Sequence, residues 1–316
     1  MKYQLSQHSM RGARPSNQDR VAVSERGNAV LMVLADGLGG HSGGELAAEI
    51  LTQTAVRMFR AVRQPVITKP SSFLALIIMH AHKTITDIGL AHKPPITPRT
   101  TCVLCLVQNG YAYWAHVGDS RLYLFRGSQL VKRTRDHTFT EHLRNGGLLL
   151  DDEVSDHPEK SRLLKCVGGP HNPTITLGDE TLLFPGDILL LCSDGLWEAL
   201  KTAELLKYLQ YDALDEGVEE MLLAAERKMK DTSDNLSAIS LRWQERLTSH
   251  LPLQAVSARE ATQQSLWNDA ARTMVAQQVP AAPAAASEPK PEPVKQSYDK
   301  TLKELEDFIK RYEEKH

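Results

Sequence analysis

Short apolar runs separated by turn residues dominate the first 243 residues of the chain. Eight runs rich in β-branched, Leu and aromatic residues predict β-strands. They are Arg20–Ser24, Ala29–Ala35, Thr100–Val107, Tyr111–Val117, Arg121–Phe125, Thr181–Phe184, Ile188–Cys192 and Leu236–Trp243. Two of these runs are joined by Gln108-Asn109-Gly110, and Asn-Gly is the strongest short signal for a tight hairpin. We therefore expect neighbouring antiparallel strands.

Four further segments repeat their apolar residues at helical spacing, with polar residues between them. They predict helices at Gly44–Val62, Ser71–His92, Thr202–Gln210 and Leu214–Lys230. Runs of adjacent strands interrupted by pairs of helices are typical of a layered α+β domain with mostly antiparallel sheets, rather than of a repeated strand-helix-strand unit.

Residues 137–170 interrupt this pattern with charged residues, a Gly146-Gly147 pair and only short helical pieces. An excursion of this length within a compact domain is more often functional than neutral. We interpret it as an insertion that lies over the domain, with a passive surface excursion as the alternative. The histidines in or beside it fit no compact metal motif and are interpreted as solvated: His137, His142, His157 and His171.

The composition changes after Trp243. Residues 244–279 are rich in Ala and Gln and predict a helical extension, whereas residues 280–296 have the Pro/Ala-rich composition of an extended linker. Residues 297–316 predict an amphipathic helix with apolar positions at Leu302, Leu305, Ile309 and Tyr312. A tethered helix of this kind favours docking on a partner or on the domain itself, and a disordered tail is the alternative.

The bulk composition argues against several classes of function. The 316 residues carry a net charge of −2, so we expect neither a nucleic acid nor a membrane surface as a partner. We interpret no apolar stretch as long enough to span a bilayer, and the first residues lack the apolar core of a signal peptide, so we expect a cytoplasmic protein. Cys102 and Cys105 have C-x-x-C spacing, but residues three apart on a strand face opposite sides, which favours plain core cysteines.

Three Asp residues lie where apolar runs begin or end: Asp36, Asp194 and Asp234. A carboxylate beside a buried strand is costly unless a charge of opposite sign meets it. Mg²⁺ and Mn²⁺ prefer oxygen ligands, so these residues predict a metal site assembled from strand ends that are far apart in sequence. The alternative is that Asp36 and Asp194, each followed by Gly, only begin turns.

The motifs along the chain form an ordered set. They are Arg14-Pro15-Ser16-Asn17-Gln18-Asp19, Ala35-Asp36-Gly37-Leu38-Gly39-Gly40-His41, Thr100-Thr101, Val117-Gly118-Asp119-Ser120-Arg121, Asp136-His137-Thr138, Ser193-Asp194-Gly195-Leu196-Trp197 and Ser233-Asp234-Asn235-Leu236. In this order they resemble the metal-dependent protein serine/threonine phosphatase family of type 2C, in its bacterial form, with a catalytic domain over residues 1–243.

The resemblance implies a fold and a reaction. The fold would be a four-layer α-β-β-α sandwich, with two central, mostly antiparallel sheets flanked by helix pairs. Residues 137–170 would be a flap beside the active site that selects substrates. The reaction would be hydrolysis of phosphoserine and phosphothreonine on proteins by water activated by two metal ions, without a covalent enzyme intermediate.

The resemblance also assigns the carboxylates to two core ions, Mn²⁺ or Mg²⁺, and to a weaker third ion. Asp36 would bridge the two core ions, with the carbonyl of Gly37 as an adjacent ligand. Asp194 and Asp234 would complete the first ion. Asp119 would share the third ion with Asp194, and a plain turn between two strands is the alternative for Asp119.

Other residues would act around the ions. Asp19 would hold water at the second ion, and Gln18, which replaces an acidic residue there, would leave that ion more hydrated and weaker. Arg14 would clamp the phosphate, because a guanidinium pairs with two phosphate oxygens. The alternative is a flexible N-terminal Arg, and Arg11 lies close enough in sequence to be confused with Arg14. His41 would either donate a proton to the leaving group or only begin a helix.

The function expected from the resemblance is a phosphatase that opposes a bacterial Ser/Thr kinase. Its partners would be phosphorylated proteins, such as that kinase or a phosphothreonine-binding scaffold, and type VI secretion control is one system where such enzymes act. We expect a monomer. A pseudophosphatase of the same fold and a phosphatase of anti-sigma partner switching are the alternatives, and the three carboxylates favour an enzyme over the pseudophosphatase.

Overall fold

The computed structural model describes residues 1–39, 43–149, 159 and 163–245. Its strands are β1 (Tyr3–Met10), β2 (Asp19–Arg26), β3 (Ala29–Leu38), β4 (Arg99–Thr100), β5 (Cys102–Gln108), β6 (Tyr111–Val117), β7 (Arg121–Arg126), β8 (Gln129–Arg133), β9 (Val167–Gly168), β10 (Thr176–Leu177), β11 (Thr181–Leu182), β12 (Ile188–Cys192) and β13 (Leu236–Trp243). Its helices are α1 (Gly43–Ala61), α2 (Pro70–Ala91), α3 (Phe139–Asn145), α4 (Asp194–Ala199), α5 (Thr202–Leu209) and α6 (Leu214–Met229), followed by a 3₁₀ turn at Lys230–Thr232. Strands β6, β12 and β13 have the bounds that the sequence predicts.

The strands form two antiparallel sheets. One has the strand order β1-β13-β12-β7-β8, and its first pair aligns Tyr3 with Trp243 and Met10 with Leu236. The other has the order β10-β6-β5-β3-β4-β9, with β2 also paired to β3 and β11 to β6. The pairings at the centre of both sheets are antiparallel, which confirms the predicted sheet type.

Alternation along the strands gives the domain its layers. On β3, Leu31 and Val33 face helices α1 and α2, whereas Val30, Met32 and Leu34 face the other sheet. All five side chains are fully buried, and each contributes about 1.5–3 kcal/mol relative to exposure. The first sheet packs its outer face against α4, α5 and α6. The resulting four layers confirm the expected α-β-β-α sandwich.

The cysteines of β5 follow the same alternation. Cys102 lies in the cluster under α1 and α2, and Cys105 lies in the core between the sheets. Both are free thiols, and burial raises the pKa of Cys102 to about 12. The C-x-x-C spacing therefore belongs to two core residues, as predicted.

Among the residues that the structure describes, α2 is the one helix whose length and composition would allow it to cross a membrane. The expectation that no stretch is long enough was therefore wrong. Half of the most apolar window of α2 is buried inside the domain, and Leu74, Ile77 and Ile78 are fully buried in the cluster shared with α1. The apolar character of α2 is that of a helix packed in a core.

Two strands of the first sheet were not predicted because they lie at its edges. β1 pairs with β13 on one side only, and just one of its eight residues, Ser6, is buried. β8 leaves Gln129, Leu130 and Val131 exposed. Edge strands of this kind carry no continuous apolar run. The predictions for the linker at 280–296 and the helix at 297–316 lie outside the described residues, as does most of the extension at 244–279.

Candidate active site

Two strand ends carry the first pair of acidic side chains. Asp19 begins β2, Asp36 lies near the end of β3, and the register places them directly opposite each other. Like charges at such positions repel, so the pair is costly unless a proton or a cation intervenes. The next residue, Gly37, has no room for a side chain, because a Cβ there would lie 2.3 Å from the carbonyl oxygen of Gly44. Glycine therefore allows α1 to approach this strand end closely.

A helix start positions Asp194. Strand β12 ends at Cys192, Ser193 is the N-cap, and Asp194 is the first residue of α4. The Ser193 hydroxyl donates to Oδ2 of Asp19 at 2.7 Å and accepts the N–H of Ser237 at 3.0 Å, rather than capping the helix. An acidic side chain in the first helical turn is favoured by the helix dipole. Ser193 thereby links Asp19 to the N-terminus of α4.

Asn235 ties the N-terminal loop to Asp234. The Asn235 N–H donates to Oδ1 of Asp234 at 2.8 Å. Its side-chain Oδ1 accepts the N–H of Gln18 at 2.8 Å, and its Nδ2 donates to the carbonyls of Arg11 and Ser16 at 2.8 and 3.0 Å. One buried amide thus holds the loop that carries Arg14 against the strand end that carries Asp234.

Arg14 reaches the acidic cluster from this loop. Its Nη2 donates to Oδ2 of Asp234 at 2.6 Å, while the Arg14 side chain stays 58% exposed. The two residues border a pocket of about 230 Å³. The pocket is lined by Arg14, Pro15, Ser16, Gln18, Asp36, Gly37, Leu38, Gly39, Asp194, Asp234 and Asn235. Six residues singled out from the sequence therefore meet here: Arg14, Gln18, Asp36, Gly37, Asp194 and Asp234.

Asp19 and Asp119 are buried and do not line the pocket. They belong to the same electrostatic cluster, because burial and then their charges raise the pKa of Asp36 and Asp194.

His41 lies outside the described residues, so its two interpretations stay predictions. Within the described part of the chain, the contact that Arg11 makes with this site is through its backbone carbonyl.

Burial and mutual repulsion disfavour the charged form of these carboxyl groups. Burial first, and then neighbouring carboxylates, raise the pKa of Asp36 and Asp194 well above the usual range. Burial raises the pKa of Asp19 to about 6, against the opposing hydrogen bond from Ser193. Burial also raises the pKa of Asp119 to about 7. A divalent cation would offset this repulsion and favour the ionised carboxylates.

The donor set suits a hard cation. It consists of carboxylate oxygens and the Gly37 carbonyl, which Mg²⁺ and Mn²⁺ prefer as ligands. Oδ1 of Asp19 is buried and has no hydrogen-bond partner among the described residues. Across that same part of the chain, no three His, Cys, Asp or Glu side chains already converge tightly enough to hold an ion, and Arg14 lies on Asp234. Ion binding at these residues would therefore require movements of their side chains.

Thr101 received no role from the sequence, yet it holds the backbone of Asp36. The Thr101 N–H donates to the Asp36 carbonyl at 2.8 Å, and its Oγ1 accepts the Asp36 N–H at 3.3 Å. The same hydroxyl shares a 2.7 Å hydrogen bond with Ser120 in the turn between β6 and β7. The signal that could have revealed this role is a pair of threonines, Thr100-Thr101, at the start of an apolar run.

His137 is not the solvated histidine that its sequence context predicts. Its ring stacks on His116, with the ring centroids 4.7 Å apart. Its Nδ1 accepts the N–H of Gly118 at 3.1 Å, and its Nε2 lies 2.8 Å from the hydroxyl of Thr176. Burial, and then the charge of His116, lower the pKa of His137 to about 3, so the ring is neutral near pH 7. The expectation was wrong because polar contacts between distant residues leave no periodic trace.

The family model described as Protein phosphatase 2C matches residues 6–237. The chain therefore belongs to the protein phosphatase 2C family, as the ordered motifs predicted. A curated relative, the serine/threonine protein phosphatase PstP of Mycobacterium tuberculosis, is 29% identical over 220 residues, which are 68% of this chain and 40% of that relative. The chain thus spans well under half of the length of this relative.

Solved structures agree with the fold. A serine/threonine phosphatase of S. agalactiae superposes with a TM-score of 0.71 at 25% identity, over 77% of this chain and 100% of that one. The catalytic domain of PstP in complex with two manganese ions superposes with a TM-score of 0.63 at 25% identity, over 77% and 99% of the two chains.

Proposed function

We propose that the protein is a metal-dependent phosphatase that hydrolyses phosphoserine and phosphothreonine esters on protein substrates. The observation that carries the proposal is the convergence of Asp36, Asp194 and Asp234 on one pocket that Arg14 also lines. The substrate class follows from the family and from the names of the relatives. The direct test is hydrolysis of a phosphothreonine peptide by the purified chain with Mn²⁺, Mg²⁺ or EDTA. Folded protein without turnover in any ion would instead favour the pseudophosphatase.

The carboxylates and one carbonyl would hold the ions. Asp36, the Gly37 carbonyl, Asp194 and Asp234 would hold two Mn²⁺ or Mg²⁺ ions, and Asp119 would share a weaker third ion with Asp194. When bound, a pair of such ions makes water more acidic and neutralises phosphoryl oxygens. The oxygen-only donor set and the repulsion among these carboxylates support this assignment.

Two further residues of the site, Asp19 and Arg14, would position water and the phosphate ester. Asp19 has one oxygen held by Ser193 and the other without a partner among the residues described, and it would accept hydrogen bonds from water inside the cluster. Among the described residues Arg14 pairs with Asp234 alone, and it is largely exposed, so its guanidinium can turn from that carboxylate to a phosphate ester. A guanidinium matches two phosphate oxygens, which gives the arriving phosphate a fixed orientation.

Replacing Arg14 by Ala is expected to raise KM for a phosphothreonine peptide by about tenfold to a hundredfold, because a charge-assisted hydrogen-bond pair is lost. Steady-state kinetics at saturating Mn²⁺ measure this change. Arg14→Lys keeps the positive charge but cannot donate two parallel hydrogen bonds to a phosphate, so it should reverse only part of the rise in KM. Arg11→Ala is the matched control, since the contact of Arg11 with the described site residues is through its backbone carbonyl. An unchanged KM in Arg14→Ala would remove Arg14 from the phosphate site.

The finer biological assignments are proposals that rest on the sequence. They are an opposing bacterial Ser/Thr kinase or a phosphothreonine-binding scaffold as partner, type VI secretion control, a cytoplasmic location and a monomeric state. They depend on the catalytic proposal, because a protein without phosphatase activity has no kinase to oppose.

Deleting residues 280–316 is expected to leave hydrolysis of a short phosphopeptide unchanged and to lower kcat/KM on a phosphorylated protein by about tenfold, because a tethered docking helix raises the local substrate concentration. The comparison uses an autophosphorylated bacterial Ser/Thr kinase domain beside the peptide. In the full-length chain, Leu305→Asp with Ile309→Asp is the matched variant, since it keeps the tether. Equal rates of all three proteins on both substrates would end the docking proposal.

A further inference from the structure

His137 is hydrogen-bonded to Gly118, the residue that precedes Asp119 in the turn between β6 and β7. The His137 backbone N–H donates to the Gly118 carbonyl at 2.9 Å, and His137 Nδ1 accepts the Gly118 N–H at 3.1 Å. Both polar backbone atoms of Gly118 are thus bonded to one residue. Acceptance at Nδ1 requires the neutral ring with its proton on Nε2, where the hydroxyl of Thr176 lies 2.8 Å away.

The conformation of Gly118 leaves this turn few alternatives. Its φ is +107°, a left-handed value that favours glycine, and a Cβ there would lie 2.6 Å from the Cβ of Thr101. On the other side of Asp119, Ser120 shares a buried 2.7 Å hydrogen bond with the same threonine. Because Thr101 also holds the backbone of Asp36, the turn is packed against the strand end that carries another carboxylate.

Trp197 holds Asp119 from the other side. Its Nε1 donates to the Asp119 carbonyl at 3.0 Å, and Trp197 lies on α4, the helix that begins with a pocket carboxylate. The guanidinium of Arg121 stacks on the Trp197 ring at 3.5 Å from its centroid. Arg121 also makes two hydrogen bonds, of 2.8 and 2.5 Å, to the buried carboxylate of Asp136, the chain neighbour of His137. These contacts therefore link the start of the insertion at residues 137–170 to α4, and they lie on both sides of Asp119 in the turn.

We propose that His137 is a positioning residue for Asp119 and thereby sets the affinity of the third, weakest ion; this inference rests on the proposed function. The bonds to Gly118 and the bond from Trp197 fix the peptides on either side of Asp119. They thereby fix the direction in which its carboxylate leaves the backbone. A metal ligand must be held within about 0.5 Å of its productive position, so loss of the His137 contact is expected to weaken that ion selectively.

The experiment compares His137→Leu, which removes the acceptor, with His137→Asn, whose carbonyl oxygen can replace Nδ1. Mn²⁺ binding to the full-length chain is followed by calorimetry and by electron paramagnetic resonance of free Mn²⁺, together with the Mn²⁺ dependence of peptide hydrolysis. His82→Leu is the matched control, because His82 Nδ1 also accepts the N–H of a glycine, Gly168, at 3.1 Å, but away from Asp119.

The expected result is that His137→Leu raises the dissociation constant of the weakest Mn²⁺ site by about fivefold to thirtyfold, while the tighter sites keep theirs. His137→Asn should recover most of this affinity, and His82→Leu should keep the wild-type isotherm even if it melts earlier. In an Asp119→Asn background, His137→Leu should change nothing further, since the two residues act through one ion.

Failure of the proposed function and failure of the positioning role of His137 give different results. A wild-type chain that binds no Mn²⁺ and hydrolyses no phosphopeptide overturns the proposed function, and this inference with it. A wild type with a weak third Mn²⁺ site that His137→Leu leaves unchanged overturns the positioning role alone. If His137→Leu does not fold, Trp197→Phe provides the same test from the other side of Asp119, because it removes the Nε1 donor and keeps an aromatic ring under Arg121.

Discussion

Replacing Asp194 by Asn is expected to lower kcat for a phosphothreonine peptide by about a thousandfold or more at saturating Mn²⁺, because a pocket-lining charge is lost from the proposed first ion. Asn has nearly the same shape, so the packing at the start of α4 is retained. In EDTA the variant should melt later than the wild type, since burial and the charges of Asp119, Asp234 and Asp19 all oppose ionisation of Asp194. Peptide hydrolysis and calorimetric melting measure the two effects.

A buried aspartate outside the pocket provides the control for this variant. Asp187 is 1% exposed and accepts two hydrogen bonds of 2.8 Å from Arg126 and one of 2.9 Å from the N–H of Phe184. Asp187→Asn should therefore lose stability and keep its activity per folded molecule. The opposite signs of the two stability changes separate a site carboxylate from a structural one. Wild-type turnover by Asp194→Asn at saturating Mn²⁺ would contradict the site assignment.

The central strands could be predicted because most of their residues are apolar. Residues 188–192 and 236–243 are almost entirely buried, and their predicted bounds match the structure. Strand β1 could not be found in this way, because most of its residues are only partly buried and its position depends on pairing with β13. Its place in the sheet is a property of two distant segments together, which a single segment does not encode.

The same limit applies to the site. Asp36 and Asp194 could be singled out because each is an isolated charge beside an apolar run. The contact of Asp36 with Asp19 depends on the register between β2 and β3, and that of His137 with Gly118 joins residues 19 positions apart. Sequence patterns therefore identify which residues are unusual for their surroundings, whereas the fold decides which of them meet.

The repulsion within the cluster predicts that the metal-free protein loses stability as the pH rises from about 6.5 to about 8. Burial raises the pKa of Asp119 to about 7 and that of Asp36 and Asp194 well above the usual range. An unfolded Asp has a pKa of about 3.9, so above that pH the folded state binds more protons than the unfolded state. The free energy of unfolding must then fall as the pH rises through the folded pKa values.

Buried histidines act in the opposite direction, but only at lower pH. Burial lowers the pKa of His116 and His137 below the ordinary value of 6.5, so their contribution to stability rises with pH and is complete once the unfolded histidines are neutral. The carboxyl groups therefore dominate above about pH 6.5. Each proton that the folded state still holds in excess of the unfolded state lowers the free energy of unfolding by about 1.4 kcal/mol per pH unit, which corresponds to a fall in Tm of about 3–6 °C per unit.

Calorimetric melting in EDTA across this pH range measures the fall in Tm. The same melting measured with Mn²⁺ is the complementary experiment. Because a cation replaces the protons that the carboxylates release, Mn²⁺ should raise Tm more at pH 8 than at pH 6.5. Asp194→Asn should have a shallower pH profile than the wild type in EDTA, since one of the coupled carboxyl groups is gone. A Tm in EDTA that stays level or rises above pH 6.5 would show that the acidic cluster does not hold its protons, and the electrostatic argument for a cation at this pocket would fail with it.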